Sequence, residues 1–173
     1  NEEAEKAFKR ALRLDPDDAA VLLNYAYLLQ NLDRNEEAIE HLEHAREDLT
    51  YRQPAKVLNN LGWAYLEEGR PYDAVGALEE AVIRQPNFCG ALYNLGVAYT
   101  EIDEDDLAIE RLAQVEMQCP GNFPEASLLQ GMLLIEQGRV EEGAGYLALV
   151  VQKYPGTPEA KEAARQLDAV GMN

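Results

Sequence analysis

The sequence predicts an all-α solenoid of stacked helical hairpins, and three observations predict it. One pattern recurs along the chain. Asn24-Tyr25-Ala26-Tyr27-Leu28-Leu29 matches Asn60-Leu61-Gly62-Trp63-Ala64-Tyr65, and both match Asn94-Leu95-Gly96-Val97-Ala98-Tyr99. The last two copies stand about 34 residues apart, a period that suits one helix–turn–helix unit. Apolar residues also fall at helical spacing. Leu58, Leu61, Gly62, Tyr65 and Leu66 occupy i, i+3, i+4, i+7 and i+8, one stripe of an α-helix. Finally, one such hairpin cannot bury its own apolar face, so the hairpins must stack.

The elements follow in order. Ala4, Phe8, Ala11 and Pro16 carry a pattern that returns as Ala38, Leu42 and Ala45. It returns again as Ala74, Leu78, Ala81 and Pro86, as Ala108, Leu112, Val115 and Pro120, and as Gly143, Leu147, Val150 and Pro155. These are the second helices of the hairpins. Gly69-Arg70-Pro71 forces a turn between the stripe at Leu58–Leu66 and the stripe of Ala74, Leu78, Ala81 and Val82. A small residue in each first helix (Ala26, Gly62, Gly96, Gly131) lets the second helix approach closely, and Leu134 completes a fourth copy. Thr157-Pro158-Glu159 opens a last helix, with Thr as N-cap and Pro at the first helical position. That helix ends before Gly171, and its polar face of Lys161, Glu162, Arg165 and Gln166 suits a solvating cap.

These residues resemble the tetratricopeptide repeat (TPR) family, whose unit carries a Trp/Leu–Leu–Gly–Tyr…Ala…Phe/Leu…Ala…Pro pattern. The resemblance covers nearly the whole chain and implies a right-handed superhelix of antiparallel helix pairs. It divides the chain, as one array, into a trailing half repeat at 1–18, repeats at 19–54, 55–88, 89–123 and 124–157, and a capping helix at 158–173. The unit 19–54 runs two residues long around Asp48-Leu49-Thr50-Tyr51, which predicts an irregular junction.

The totals restrict the partners. The chain has 173 residues and a formal net charge of −17, from 15 Lys and Arg against 32 Asp and Glu. Phosphate backbones and anionic headgroups need a basic surface, so neither nucleic acid nor an anionic membrane surface is an expected ligand. The charge serves solubility, or selection of a basic partner. The longest clear apolar run, Tyr146 to Val151, is far short of a membrane span. The chain starts at Asn1 inside a helical pattern and without Met, so a signal peptide or lipid-anchor cysteine upstream is compatible with it.

The resemblance also implies where a partner sits. In such arrays the first helices line the inner concave surface. Carried onto this chain, the family's groove positions are Leu23 and Tyr27, then Asn59, Trp63 and Leu66, then Tyr93 and Val97, then Leu128, Met132 and Ile135. Lys56, Glu67, Glu101 and Glu136 stand at the margins. Two readings compete: packing against neighbouring hairpins, or a hydrophobic groove for an apolar helix or extended segment. One or more such residues in every unit favours the groove, with Trp63 and Tyr93 as its anchors. The Lys-and-Asn clamp by which some TPR co-chaperones grip a terminal carboxylate is not expected. Its Lys position holds Leu23, Asn59, Tyr93 or Leu128, and its inner Asn position holds Tyr27, Trp63, Val97 or Met132.

Cys89 opens one hairpin's first helix and Cys119 closes its second, just before Pro120. An antiparallel pair brings both to the hairpin's open end, within reach of a disulfide; two reduced thiols are the alternative. A disulfide implies an oxidising compartment. A two-cysteine metal site lacks further ligands. His41 and His44 flank the packing residues Leu42 and Ala45 and are expected to face outward, with Glu40 and Glu43 nearby. Glu101, Asp103, Glu104, Asp105 and Asp106 lack the spacing of a calcium loop and read as a solvated turn between helices. No phosphate loop, nucleophile–base pair or cofactor motif is present, so the chain reads as a non-enzyme without cofactor.

An oxidisable cysteine pair, an acidic body and an apolar groove resemble the TPR lipoproteins, called pilotins, that help type IV pilus outer-membrane secretins assemble. The segments Asn59 to Tyr65 and Cys89 to Gly96 carry the comparison. It implies a lipid upstream of Asn1, a place at the periplasmic face of the outer membrane, and an apolar segment of a secretin subunit as partner. The alternatives are a cytoplasmic adaptor with reduced cysteines and a TPR segment of a larger enzyme.

Overall fold

The computed structural model describes residues 2–48 and 50–172; these form ten α-helices, with no strand among the described residues. The chain divides into two compact units, Asn1–Ala98 and Tyr99–Asn173. The first holds α1 (Glu2–Leu14), α2 (Ala19–Gln30), α3 (Asn35–Arg46), α4 (Pro54–Glu67), α5 (Pro71–Arg84) and α6 (Cys89–Thr100) up to Ala98. The second holds α7 (Asp105–Gln118), α8 (Pro124–Glu136), α9 (Val140–Lys153) and α10 (Pro158–Ala169).

Within the first unit α2 packs on α3 and α4 on α5, α3 lies against α4, and α1 lies on α2. The seam is built from the small and branched residues of the repeat: Ala26, Leu29, Ala38, Leu42, Leu61, Ala74, Leu78 and Ala81 have no solvent exposure. Each buried Leu contributes about 1.5–3 kcal/mol of transfer free energy. In the second unit α8 packs on α9, α7 on α8, and α10 closes against α9 and α8. There Leu147, Val150, Ala160, Ala163 and Leu167 form one buried cluster. The small-residue rule is strictest here. A β-carbon on Gly131 would lie 2.9 Å from the Gly143 carbonyl oxygen, so these two backbones meet with no room between them.

The helix starts follow local chemistry. Asp18 Oδ1 accepts from the backbone N–H groups of Ala20 (3.0 Å) and Val21 (3.1 Å) to cap α2. Thr157 Oγ1 accepts from Ala160 N (3.2 Å) to cap α10. Pro stands in the first turn of α4, α5, α8 and α10, where its missing N–H costs nothing. The turns from first to second helices share one left-handed residue: Asp33 (φ 55), Gly69 (φ 65), Asp103 (φ 59) and Gly138 (φ 80). Asp tolerates this region better than other residues with a β-carbon. Beyond three of the turns an Arg starts the next helix and pairs with an acid three residues on: Arg34 with Glu37, Arg70 with Asp73, Arg139 with Glu142.

Two expectations are corrected here. His41 does not face outward. It is half-buried with its ring 4.8 Å from that of Tyr25, which in turn stacks on Phe8 at 5.5 Å. Burial lowers the His41 pKa below its ordinary 6.5. The stack forms because Tyr25 stands where the next two units carry Leu61 and Leu95, and its hydroxyl reaches Glu5 Oε1 at 3.1 Å. His44 alone of the two is exposed, 2.8 Å from Asp17 Oδ1. The acidic run is not all turn: Asp105 and Asp106 form the first turn of α7, where the helix dipole favours carboxylates. In the irregular junction, Leu49 lies outside the described residues. Beside it Asp48 Oδ1 accepts from Thr50 N (2.8 Å) and Thr50 Oγ1 (2.7 Å), tying off the chain before α4.

Candidate functional site

In the first unit, three first helices are joined side by side through amide groups. Gln30 Nε2, near the end of α2, donates to the Asn60 carbonyl oxygen of α4 at 2.9 Å. Asn94 Nδ2, on α6, donates to Asn59 Oδ1 of α4 at 3.0 Å, and Asn59 Nδ2 donates to Asn60 Oδ1 at 3.3 Å. Helical spacing puts Tyr27 one turn before Gln30, Trp63 one turn after Asn59 and Asn60, and Val97 one turn after Tyr93 and Asn94. The amide bridges and these apolar groups therefore share one face.

That face presents aromatic surface to solvent. Tyr27 is 61% exposed and Trp63 39% exposed. Asn59, Leu66, Tyr93 and Val97 are half-buried. Leu23 differs: it is 8% exposed and packs in the core, leaving almost no surface for a partner. The reason is packing: α2 is apolar nearly all round and lies against α1, α3 and α4, which bury Leu22, Leu23 and Ala26 together. In the second unit, Leu128, Met132 and Ile135 are half-buried and pack against the α9–α10 cluster. They give that unit a much flatter apolar offering, because α10 supplies a packing partner for them.

Chemically, such a face desolvates apolar groups and offers amide hydrogen bonds at its floor. The exposed aromatic rings supply large contact area with few rotamers to freeze. Sequence reasoning did not single out Gln30. The signal available was its place one turn after Tyr27 at the end of a helix otherwise free of long polar side chains. On the buried side of α4, away from Trp63, the second helices organise the electrostatics. The Tyr65 hydroxyl donates to Glu43 Oε1 at 2.5 Å, and Arg70 sits over its ring at 4.4 Å. Burial first, then the Glu43 carboxylate, pushes the Tyr65 pKa up to about 12.

Cys89 and Cys119, the chain's two cysteines, are disulfide-bonded. Among the described residues no group of three or more His, Cys, Asp or Glu is placed to hold a metal ion. No helix among them is long and apolar enough to cross a membrane.

Comparison with known proteins extends this picture. The chain is 33% identical over 164 residues to the type IV pilus assembly protein PilF of Pseudomonas aeruginosa, a match covering 92% of this chain and 63% of that protein. It is 30% identical over 144 residues to protein FlbA of Caulobacter vibrioides, covering 81% of this chain and 24% of that one. The chain thus spans less than two thirds of the length of either relative. Among solved structures, MamA superposes with a TM-score of 0.79 at 26% identity, covering 86% of this chain and 85% of MamA. PilW, a type IV pilus biogenesis factor, superposes with a TM-score of 0.83 at 23% identity, covering 93% of this chain and 74% of PilW. Tetratricopeptide repeat sequence profiles match residues 1–18, 17–82, 59–123 and 125–157. With helix pairs whose small residues meet as that repeat requires, and with these profiles running almost end to end, the chain belongs to the tetratricopeptide repeat family.

Proposed function

We propose that this TPR chain is a non-catalytic scaffold for assembly of the type IV pilus outer-membrane secretin, acting as a pilotin. The observation that carries this reading is the 33% identity to a type IV pilus assembly protein, sustained over 92% of the chain. The first unit's face holds an apolar segment of a secretin subunit until the ring forms. Tyr27, Trp63 and Tyr93 are its anchors, with Leu66 and Val97 as walls; Leu128, Met132 and Ile135 line a separate apolar surface within the second unit. The oxidised cysteines fit an oxidising compartment, so the chain works at the periplasmic face of the outer membrane, held there by a lipid on upstream residues.

The test is secretin assembly in the chain's own host. Deleting the gene is expected to abolish detergent-resistant secretin multimers in envelope fractions. The wild-type gene restores them and the Trp63→Glu variant does not, although its circular dichroism is unchanged. Normal multimers in the deletion strain sink the secretin role. Free-thiol titration of protein purified from the host checks the compartment. No reactive thiol is expected, and two would move the chain to a cytoplasmic adaptor role.

A further inference from the structure

The geometry points to a charge preference at the face just described: the first unit selects an apolar segment flanked by Lys or Arg, using the carboxylates at the C-terminal ends of α2 and α4, namely Asp33, Glu67 and Glu68. This rests on the reading of that face as a binding surface. The argument starts from helix dipoles, which favour cations in a helix's last turn. Among the second helices α1 (Arg13), α3 (His44, Arg46), α5 (Arg84) and α9 (Lys153) obey this, and α7 does not. The first helices α2, α4, α6 and α8 have no basic residue in their last turns.

In the first unit the departure goes further than absence. The last residue of α4 is Glu67 and its C-cap is Glu68, two carboxylates at the negative end of the dipole. Past the end of α2, Asp33 holds a left-handed conformation (φ 55) at a turn position that is glycine after α4, so a carboxylate is kept where glycine is easier. Glu67 and Asp33 are exposed, and Glu67 lies one helical turn beyond Trp63 on the same stripe. None of the three has an ion-pair partner among the described residues. The nearest bases along the chain are committed elsewhere: Arg34 to Glu37 and Glu5, Arg70 to Asp73. The exposed Lys56 sits in the first turn of α4, at the opposite end of that helix. Helix stability opposes this arrangement and the packing of the unit does not use it.

Tyr27 lies on α2 upstream of Asp33 and Trp63 lies one turn before Glu67, so a ligand lying on either ring carries its flanking residues toward a carboxylate at the C-terminal end of that helix. A cation there is attracted and an anion repelled, which sets partner choice and on-rate. A second copy of this chain is a poor occupant, since its net charge of −17 would meet the same sign.

The experiment is a selection from a random 12-residue peptide library displayed on phage, against the whole chain and its Trp63→Glu variant. Peptides that depend on Trp63 are expected to carry Lys or Arg next to their apolar residues. The Asp33→Asn, Glu67→Gln, Glu68→Gln triple variant, checked for unchanged helicity, is expected to bind a selected peptide about tenfold more weakly at low ionic strength. The loss should vanish at high salt, where exposed charges are screened. It should also be absent for the same peptide with its bases replaced by Gln. Trp63-dependent peptides without basic flanks, or no effect of the triple variant, overturn the charge preference and leave the face intact. No Trp63-dependent peptide at all removes the binding reading and this inference together.

Discussion

Gly62 lies so close to Leu78 that a β-carbon on it would strike the Leu78 side chain, at the close approach of α4 to α5. Gly62→Ala should therefore force the two helices apart or push Leu78, which has no solvent exposure, off its rotamer. Overpacking of this kind costs about 1–3 kcal/mol. Gly76→Ala is the control on α5. It has nothing within 4 Å and stands mid-helix, so alanine should stabilise by about 0.5–1 kcal/mol. Urea denaturation of both variants checks the opposite signs.

Gln130 occupies the core position that Leu61 and Leu95 hold in earlier repeats. It is 2% exposed, and its Oε1 has no hydrogen-bond partner. A buried carbonyl without a partner loses its water without compensation. Gln130→Leu should raise stability by about 1–2 kcal/mol, read as a higher urea midpoint at unchanged slope. A lower midpoint would show that the amide is paired in solution.

His41 makes stability depend on pH. Burial lowers its pKa below the ordinary 6.5, so the folded chain prefers the neutral imidazole. Its contribution is fully present above pH 6.5 and fades as pH falls below that value, because the unfolded chain binds the proton more tightly. His41→Phe should keep the stack on Tyr25 and flatten the melting temperature across that window. An unchanged slope assigns the pH dependence to other groups. Glu5 acts lower on the scale. Lys9 first, then Arg34, hold its pKa at about 2 against an ordinary 4.5, so its pairing is lost only as pH falls from 4.5 toward 2.

Removing the disulfide tests its thermodynamic weight. The Cys89→Ser, Cys119→Ser double variant should lose about 3–4 kcal/mol in the chain-entropy view of a loop this long. Denaturation of wild type with and without reductant should give the same difference. A drop under 1 kcal/mol would mean the unfolded chain gains little freedom from reduction.

Much of the fold was legible in residue order alone. The alternation of Gly62 and Gly131 with Leu78 and Leu147 announced paired helices, because only a small residue lets a branched one reach the partner's backbone. The N-cap at Thr157 and the proline starts were equally local and equally readable. The site was legible in part. The family resemblance placed Tyr27, Trp63 and Tyr93 on the groove face, yet it treated Leu23 as their equal. Burial depends on everything packed around a helix, and spacing along one helix does not report that.

What sequence by itself determined was therefore the repeat, its helix pairs and the sign of the charge, since each depends on near neighbours or on a sum over residues. Tertiary packing alone decided which apolar residues stay in water. It enclosed Leu23 and set Leu128, Met132 and Ile135 against the last helix pair, while Trp63 and Tyr27 kept open surface. It also turned His41 inward onto Tyr25, because a ring's environment is set by side chains distant in the chain, and no local pattern encodes which of them arrive.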